Sequence, residues 1–159
     1  MVEKALPGSL PLSRGVYFNT PGVASVRWDP VAATVHVEWE GWADSTQFPI
    51  LLEAGLRALT EHRGSRWLAD CRRRRVIKPV DQIWSDQVFI PRLVAAGLKR
   101  FAVVLPTSGL AGTNLKASWE PWRQAGLDVG YFATVEEARK WLTEPRTRTP
   151  NDEEASSVS

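Results

Sequence analysis

The chain has 159 residues, 43% of them hydrophobic and 24% charged, which is enough for one hydrophobic core and too little for two. A net charge of +2 names no partner class by itself, so any nucleic-acid or membrane-surface footprint would have to come from local clustering of Lys and Arg. The single cysteine, Cys71, excludes an internal disulfide, no apolar run reaches the ~18 residues of a membrane span, and no secretory leader pattern opens the chain. A soluble, cytoplasmic protein is the expectation.

Met1 to about Gly15 carry Pro7, Gly8, Pro11 and small polar residues without periodicity, and read as a flexible arm. From Val23 to Trp28, Ala24, Val26 and Trp28 alternate with Ser25, Arg27 and Asp29, the period of a half-buried strand. Asp29-Pro30 marks a turn. Alternation resumes from Thr34 to Glu40, with Val35, Val37 and Trp39 on one side and His36 on the polar side, which predicts an antiparallel hairpin with one solvated face. Phe48, Leu51, Leu52, Gly55, Leu56 and Leu59 then repeat at helical spacing. Because Pro49 lacks an N–H and suits a first turn, Ser45 or Thr46 is the expected cap rather than Asp44.

Arg66 to Cys71 reads as the next strand, parallel to the last because a helix connects them. After an arginine run, Pro79 opens an amphipathic helix carrying Val80, Ile83, Trp84, Gln87 and Val88, which Pro91 should kink or interrupt. Phe101 to Leu105 is a continuous apolar run, as in a strand buried on both faces. Leu115, Trp119 and Trp122 suggest a helix disturbed by Pro121, and Val129 to Phe132 a short strand. Thr134 and Glu137 form a capping box that opens a last helix with Ala138, Trp141 and Leu142 inside. The whole predicts an α/β fold: a mixed five-stranded sheet, an antiparallel N-terminal hairpin followed by parallel βαβ units, with about four helices. It occupies one domain over residues 16–144, followed by a disordered tail over 145–159.

In such sheets, ligands gather beyond the carboxyl ends of the parallel strands. The loops qualifying here are Glu40 to Asp44, Asp70 to Lys78, Pro106 to Thr113, and Ala133-Thr134. Arg72, Arg73, Arg74 and Arg75, with Lys78, place positive charge beside a helix amino end, a pairing suited to a phosphate or an acidic protein surface. The same run also fits a solvated loop in which one arginine pairs with Asp70 and the others lie along apolar surface. Asp70 reads either as a site carboxylate or as a satisfied, paired one, and Cys71 as a buried structural thiol. Gly109 to Thr113 lack a phosphate-loop lysine and read as a turn. His36 and His62 have no partner at metal spacing, so no metal and no cofactor is expected. Neither base-stacking aromatics nor a reading helix accompanies the arginines, so nucleic acid is not an expected partner.

The pattern Trp67-Leu68-Ala69-Asp70-Cys71-Arg72, with Asp81, Trp84, Pro91, Gly97, Phe101-Ala102-Val103-Val104, Tyr131-Phe132 and the helix Glu136 to Leu142, resembles the STAS family. Within it, the similarity is to the stand-alone group around the sporulation anti-sigma-factor antagonist. The resemblance implies a non-enzymatic regulatory module that binds a protein partner and in some members a nucleotide or lipid. It also implies a phosphorylatable serine at the start of the helix after the third strand, where this chain has Asp70 to Arg75 and no Ser or Thr. The expected contact surface is Asp70, Arg72, Arg73, Arg74, Arg75, Lys78, Asp81 and Trp84, meeting an acidic partner. The alternative is a carrier of a small anionic or amphipathic ligand, with Trp42 and Trp84 as walls. The polar outer side of the hairpin would also allow a homodimer.

Overall fold

The computed structural model describes residues 15–75, 77–106 and 120–145. The predicted arm before Gly15, the turn at Gly109 to Thr113, the helical positions Leu115 and Trp119, and the tail beyond Pro145 lie outside the described residues.

Three antiparallel strands begin the sheet: β1 (Val16–Thr20), β2 (Ala24–Asp29) and β3 (Thr34–Trp39). The latter two are the predicted hairpin. Their turn is set by Asp29, whose Oδ1 accepts from the N–H groups of Val31 and Ala32 at 3.0 and 3.2 Å. β1 corrects the predicted strand count from five to six. A register shift between Val16 and Phe18 breaks the two-residue period along this edge strand, so Val16-Tyr17-Phe18 shows no alternation to read.

The chain then passes through α1 (Gln47–Glu61) to β4 (Arg66–Asp70), and on to β5 (Arg100–Val104) and β6 (Asp128–Phe132), all parallel to β3. Spatial order equals chain order across the sheet. Every parallel crossover therefore steps the same way, and the right-handed rule puts the connecting helices on a single face. That face holds Val35, Val37, Trp67, Ala69, Phe101 and Val103 against Phe48, Leu51, Leu59 and Phe89 in one large core. The last helix, α4 (Val135–Thr143), crosses to the other face, where Ala138 and Leu142 cover Leu68, Ala102 and Val104.

The predicted cap of α1 is also corrected. Asp44 Oδ1 accepts from the N–H groups of Thr46 and Gln47 at 3.0 and 2.8 Å, and Gln47 Oε1 accepts in return from the Asp44 N–H at 3.3 Å. This is a capping box one turn ahead of the first regular helical residue, and Pro49 falls past the end of it. At α4 the predicted cap is in place, with Thr134 Oγ1 accepting from the Glu137 N–H at 3.2 Å.

Between β4 and β5 runs one helical rod in three parts: α2 (Pro79–Trp84), a π-helical turn over Ser85–Phe89, and α3 (Ile90–Ala95). Pro91 interrupts the rod as predicted. Lacking an N–H to return to the preceding turn, it is accommodated by the wider turn just before it. Residues 120–124 are helical as well, and Trp122 from this segment packs edge-on against Phe101 at 4.5 Å between centroids.

Candidate functional site

The carboxyl ends of β3, β4 and β5 lie side by side, so the Arg72 to Arg75 loop emerges at the rim where the strand ends converge. It rests on the neighbouring loop, the Arg75 N–H donating to the Gly41 carbonyl at 3.2 Å.

The four arginines do not act as one cluster, because successive side chains leave the strand end in different directions. Arg72 closes a two-pronged pair on Asp70, Nε to Oδ1 at 2.9 Å and Nη2 to Oδ2 at 2.7 Å. Asp70 is only 4% exposed. Burial alone would raise its pKa, but the hydrogen bonds and charge of Arg72 outweigh this and hold the carboxyl below its ordinary value. Arg73 reaches Glu38 at 3.4 Å on the surface. Arg74 turns inward, its guanidinium 5.0 Å from the Trp39 ring centroid and its Nη1 3.8 Å from Cys71 Sγ. Arg75 is exposed, and Lys78 Nζ sits 5.2 Å from the ring of exposed Trp42.

Two of the other expected contact residues, one buried and one half-buried, make internal contacts. Asp81 is buried and accepts from the Ser45 hydroxyl at 3.1 Å, tying the start of α2 to the start of α1. Trp84 packs against Phe48 and Phe89, at 6.3 and 5.5 Å between ring centroids. Of the expected set, Trp42, Arg72, Arg73, Arg75 and Lys78 are therefore presented outward. Asp70 and Asp81 are buried, and Arg74 and Trp84 are half-buried. Of the expected walls of a carrier pocket, Trp42 is exposed beside Lys78 and Trp84 packs on Phe48 and Phe89. The interior cavity, lined among others by Trp39, Phe48, Trp67, Arg74 and Trp122, has a volume of about 20 Å³, room for a single water.

Cys71 is fully buried, and burial pushes its thiol pKa up, as suits a structural thiol. Ser85, the nearest serine after β4, is 3% exposed inside the π-helical turn and so closed to a modifying enzyme. His62 stacks flat on Trp28 at 4.3 Å and contacts the Tyr17 hydroxyl at 2.9 Å. No group of three metal-ligating side chains occurs among the described residues. Nor is any helix among them long and apolar enough to cross a membrane.

Sequence reasoning assigned the wrong inner face to the rod after β4. Val80, Ile83 and Val88, read as its apolar stripe, are 64%, 54% and 45% exposed, and Val94 continues the same outer side. The inner face is instead Asp81, Ser85, Phe89, Ile90 and Leu93. Asp81 can turn inward because the Ser45 hydroxyl satisfies it, and Phe89 supplies the large buried ring against Trp67. The signal lay in the composition. A helix with apolar residues on both sides has more of them than one core contact can cover.

No family model matches the chain, and comparison with curated proteins and with solved structures finds no similar one.

Proposed function

We propose that this protein is a non-enzymatic regulatory docking module, STAS-like in kind but without the phosphorylatable serine. Its binding surface runs from the basic rim loop along the outer side of the α2–α3 rod. The observation that carries this reading is the exposed strip Val80, Ile83, Val88 and Val94, which begins beside Trp42, Lys78 and Arg75. Exposed apolar strips bordered by charge are where protein partners dock. The occupant that fits is an amphipathic, acidic segment of another protein, its apolar side on the valines and isoleucine and its carboxylates toward Arg73, Arg75 and Lys78.

The test uses the full chain with a photo-crosslinking residue at position 83, in three forms: otherwise wild type, with Val80→Glu, and with Arg73→Glu and Arg75→Glu together. A partner crosslinked at position 83 should fall by about tenfold or more in both variant forms, the loss expected when anchor contacts of an interface are removed. Thermal midpoints should stay close to that of the parent, because all three substituted residues are exposed. Equal yields of the same partner in all three forms would show that the surface lies elsewhere.

A further inference from the structure

On the sheet face opposite α1, a second recess lies between α4 and the β2–β3 hairpin. It is an open groove of about 400 Å³ lined by Arg27, Trp28, Asp29 and His36 from the strands, Pro30 at the turn, and Val135 and Arg139 from α4. Val135 and Arg139 stand one helical turn apart and so face the strands together. Its polar lining is two guanidinium groups, one imidazole and one carboxylate.

Each of these groups has an internal reason for its position. Asp29 is occupied, its Oδ1 by backbone N–H groups and its Oδ2 by Arg139 Nε at 3.0 Å. Arg139 spends one of its five N–H donors there. Arg27 Nη2 lies 3.5 Å from His36 Nδ1, and since a guanidinium only donates, this contact suits the neutral tautomer with its proton on Nε2. His36 is only 4% exposed, although it lies on the side of β3 that alternation assigns to solvent. What covers it is this ionic layer together with α4.

We propose that the groove binds the phosphoryl group of a small soluble phosphate compound, with Arg27 and Arg139 as charge partners and His36 Nε2–H as the third donor. Guanidinium groups at two corners of a recess match the several acceptor oxygens of a phosphate better than they match a lone carboxylate. Pro30 and Val135 add an apolar edge that would favour an ester with a hydrophobic or ring substituent over free phosphate. Empty, the groove disfavours a charged imidazole: burial, followed by Arg27, pushes the His36 pKa down to about 4, against opposing pulls from Asp70 and Asp29, with Arg139 adding to the depression. Asp70 is itself neutralised by Arg72. A bound phosphate, a monoanion in the pH range where His36 titrates, offsets the charge of Arg27 and Arg139 and should draw a proton onto His36.

The chain has two histidines, and His62 lies outside the groove, so each spectrum carries its own control. Imidazole proton resonances of the full chain are followed against pH in chloride, in inorganic phosphate and in phenyl phosphate at matched ionic strength. The His36 midpoint should rise by roughly one unit or more in both phosphate compounds, equivalent to tenfold tighter binding to the protonated form, with His62 unmoved. Phenyl phosphate should act at the lower concentration. Arg27→Gln, a surface change, should abolish most of the rise. A His36 midpoint that is the same in all three salts, or a rise that survives Arg27→Gln, would overturn the site. This outcome is independent of the docking surface, which shares no residue with the groove.

Discussion

His36 shows how one residue's surroundings override its place in a pattern. Period-two alternation puts it with Thr34 and Glu38 on the polar side of β3, yet both Thr34 and His36 are buried, because β3 is an interior strand and α4 roofs the far side. Its depressed pKa has a consequence for stability. Above pH 6.5 the imidazole is neutral whether the chain is folded or unfolded, and the native state carries no penalty. As pH falls from 6.5 to about 4 the unfolded chain takes up a proton that the folded one refuses, so stability is lost across that window. The loss should approach roughly 3 kcal/mol by the 1.36 kcal/mol per unit rule. Urea denaturation at steps from pH 7 to pH 4 should show the decline, and His36→Gln should flatten it. Asp29 and Asp70, whose carboxyls are held below their ordinary values, add a separate loss only at lower pH, as their pairs with Arg139 and Arg72 are protonated apart. The arginine run shows the same dependence on surroundings. Four identical residues in sequence become an ion pair, a surface contact, a cation over an indole and a free-standing rim charge, according to what each direction meets.

At the scale of elements, patterns were readable where one contact dominated and unreadable where two competed. β5 could be recognised from five consecutive buried residues, Phe101 to Leu105, and α1 from a single apolar stripe. β1 was hidden by its bulge. The rod after β4 was assigned the wrong face because Val80 and Ile83 compete in hydropathy with Phe89 and Leu93, and only the tertiary contact of Phe89 with Trp67 decides between them. For the candidate site this meant that the rim location and the exposed Arg73, Arg75, Lys78 and Trp42 were accessible from sequence, while the apolar strip beside them was not. A substitution at the seam between α1 and β4 tests this packing. A methyl group added at Gly55 would fall within the buried ring of Trp67, itself held between Phe89 and Phe101. Gly to Ala inside a helix ordinarily stabilises by about 1 kcal/mol. Here overpacking, typically 1–3 kcal/mol, should win, so Gly55→Ala should lower the denaturation midpoint. A raised midpoint would mean that Trp67 has room to move.

For the whole molecule, the sequential strand order divides the labour between two unequal faces. Among the described residues, one carries α1, the α2–α3 rod and the large aromatic core; the other carries α4 over a small cluster. Leu68, Ala102 and Val104 are fully buried largely because Ala138 and Leu142 lie on them. A chain ending at Ala133 should therefore bind an apolar dye strongly and lose its sharp unfolding transition, as measured by dye fluorescence and calorimetry. Retention of a sharp transition near the parent temperature would show that the second cluster contributes little.

Because neighbours in the sheet are also neighbours along the chain, assembly can proceed in the direction of synthesis, each strand adding to an edge already made. The exception is α4. Through its Arg139 it returns to Asp29, 110 positions earlier, and so ties a late element to an early one. The groove at that junction exists only once the chain has closed on itself, so a ligand held there would favour finished molecules over incomplete ones.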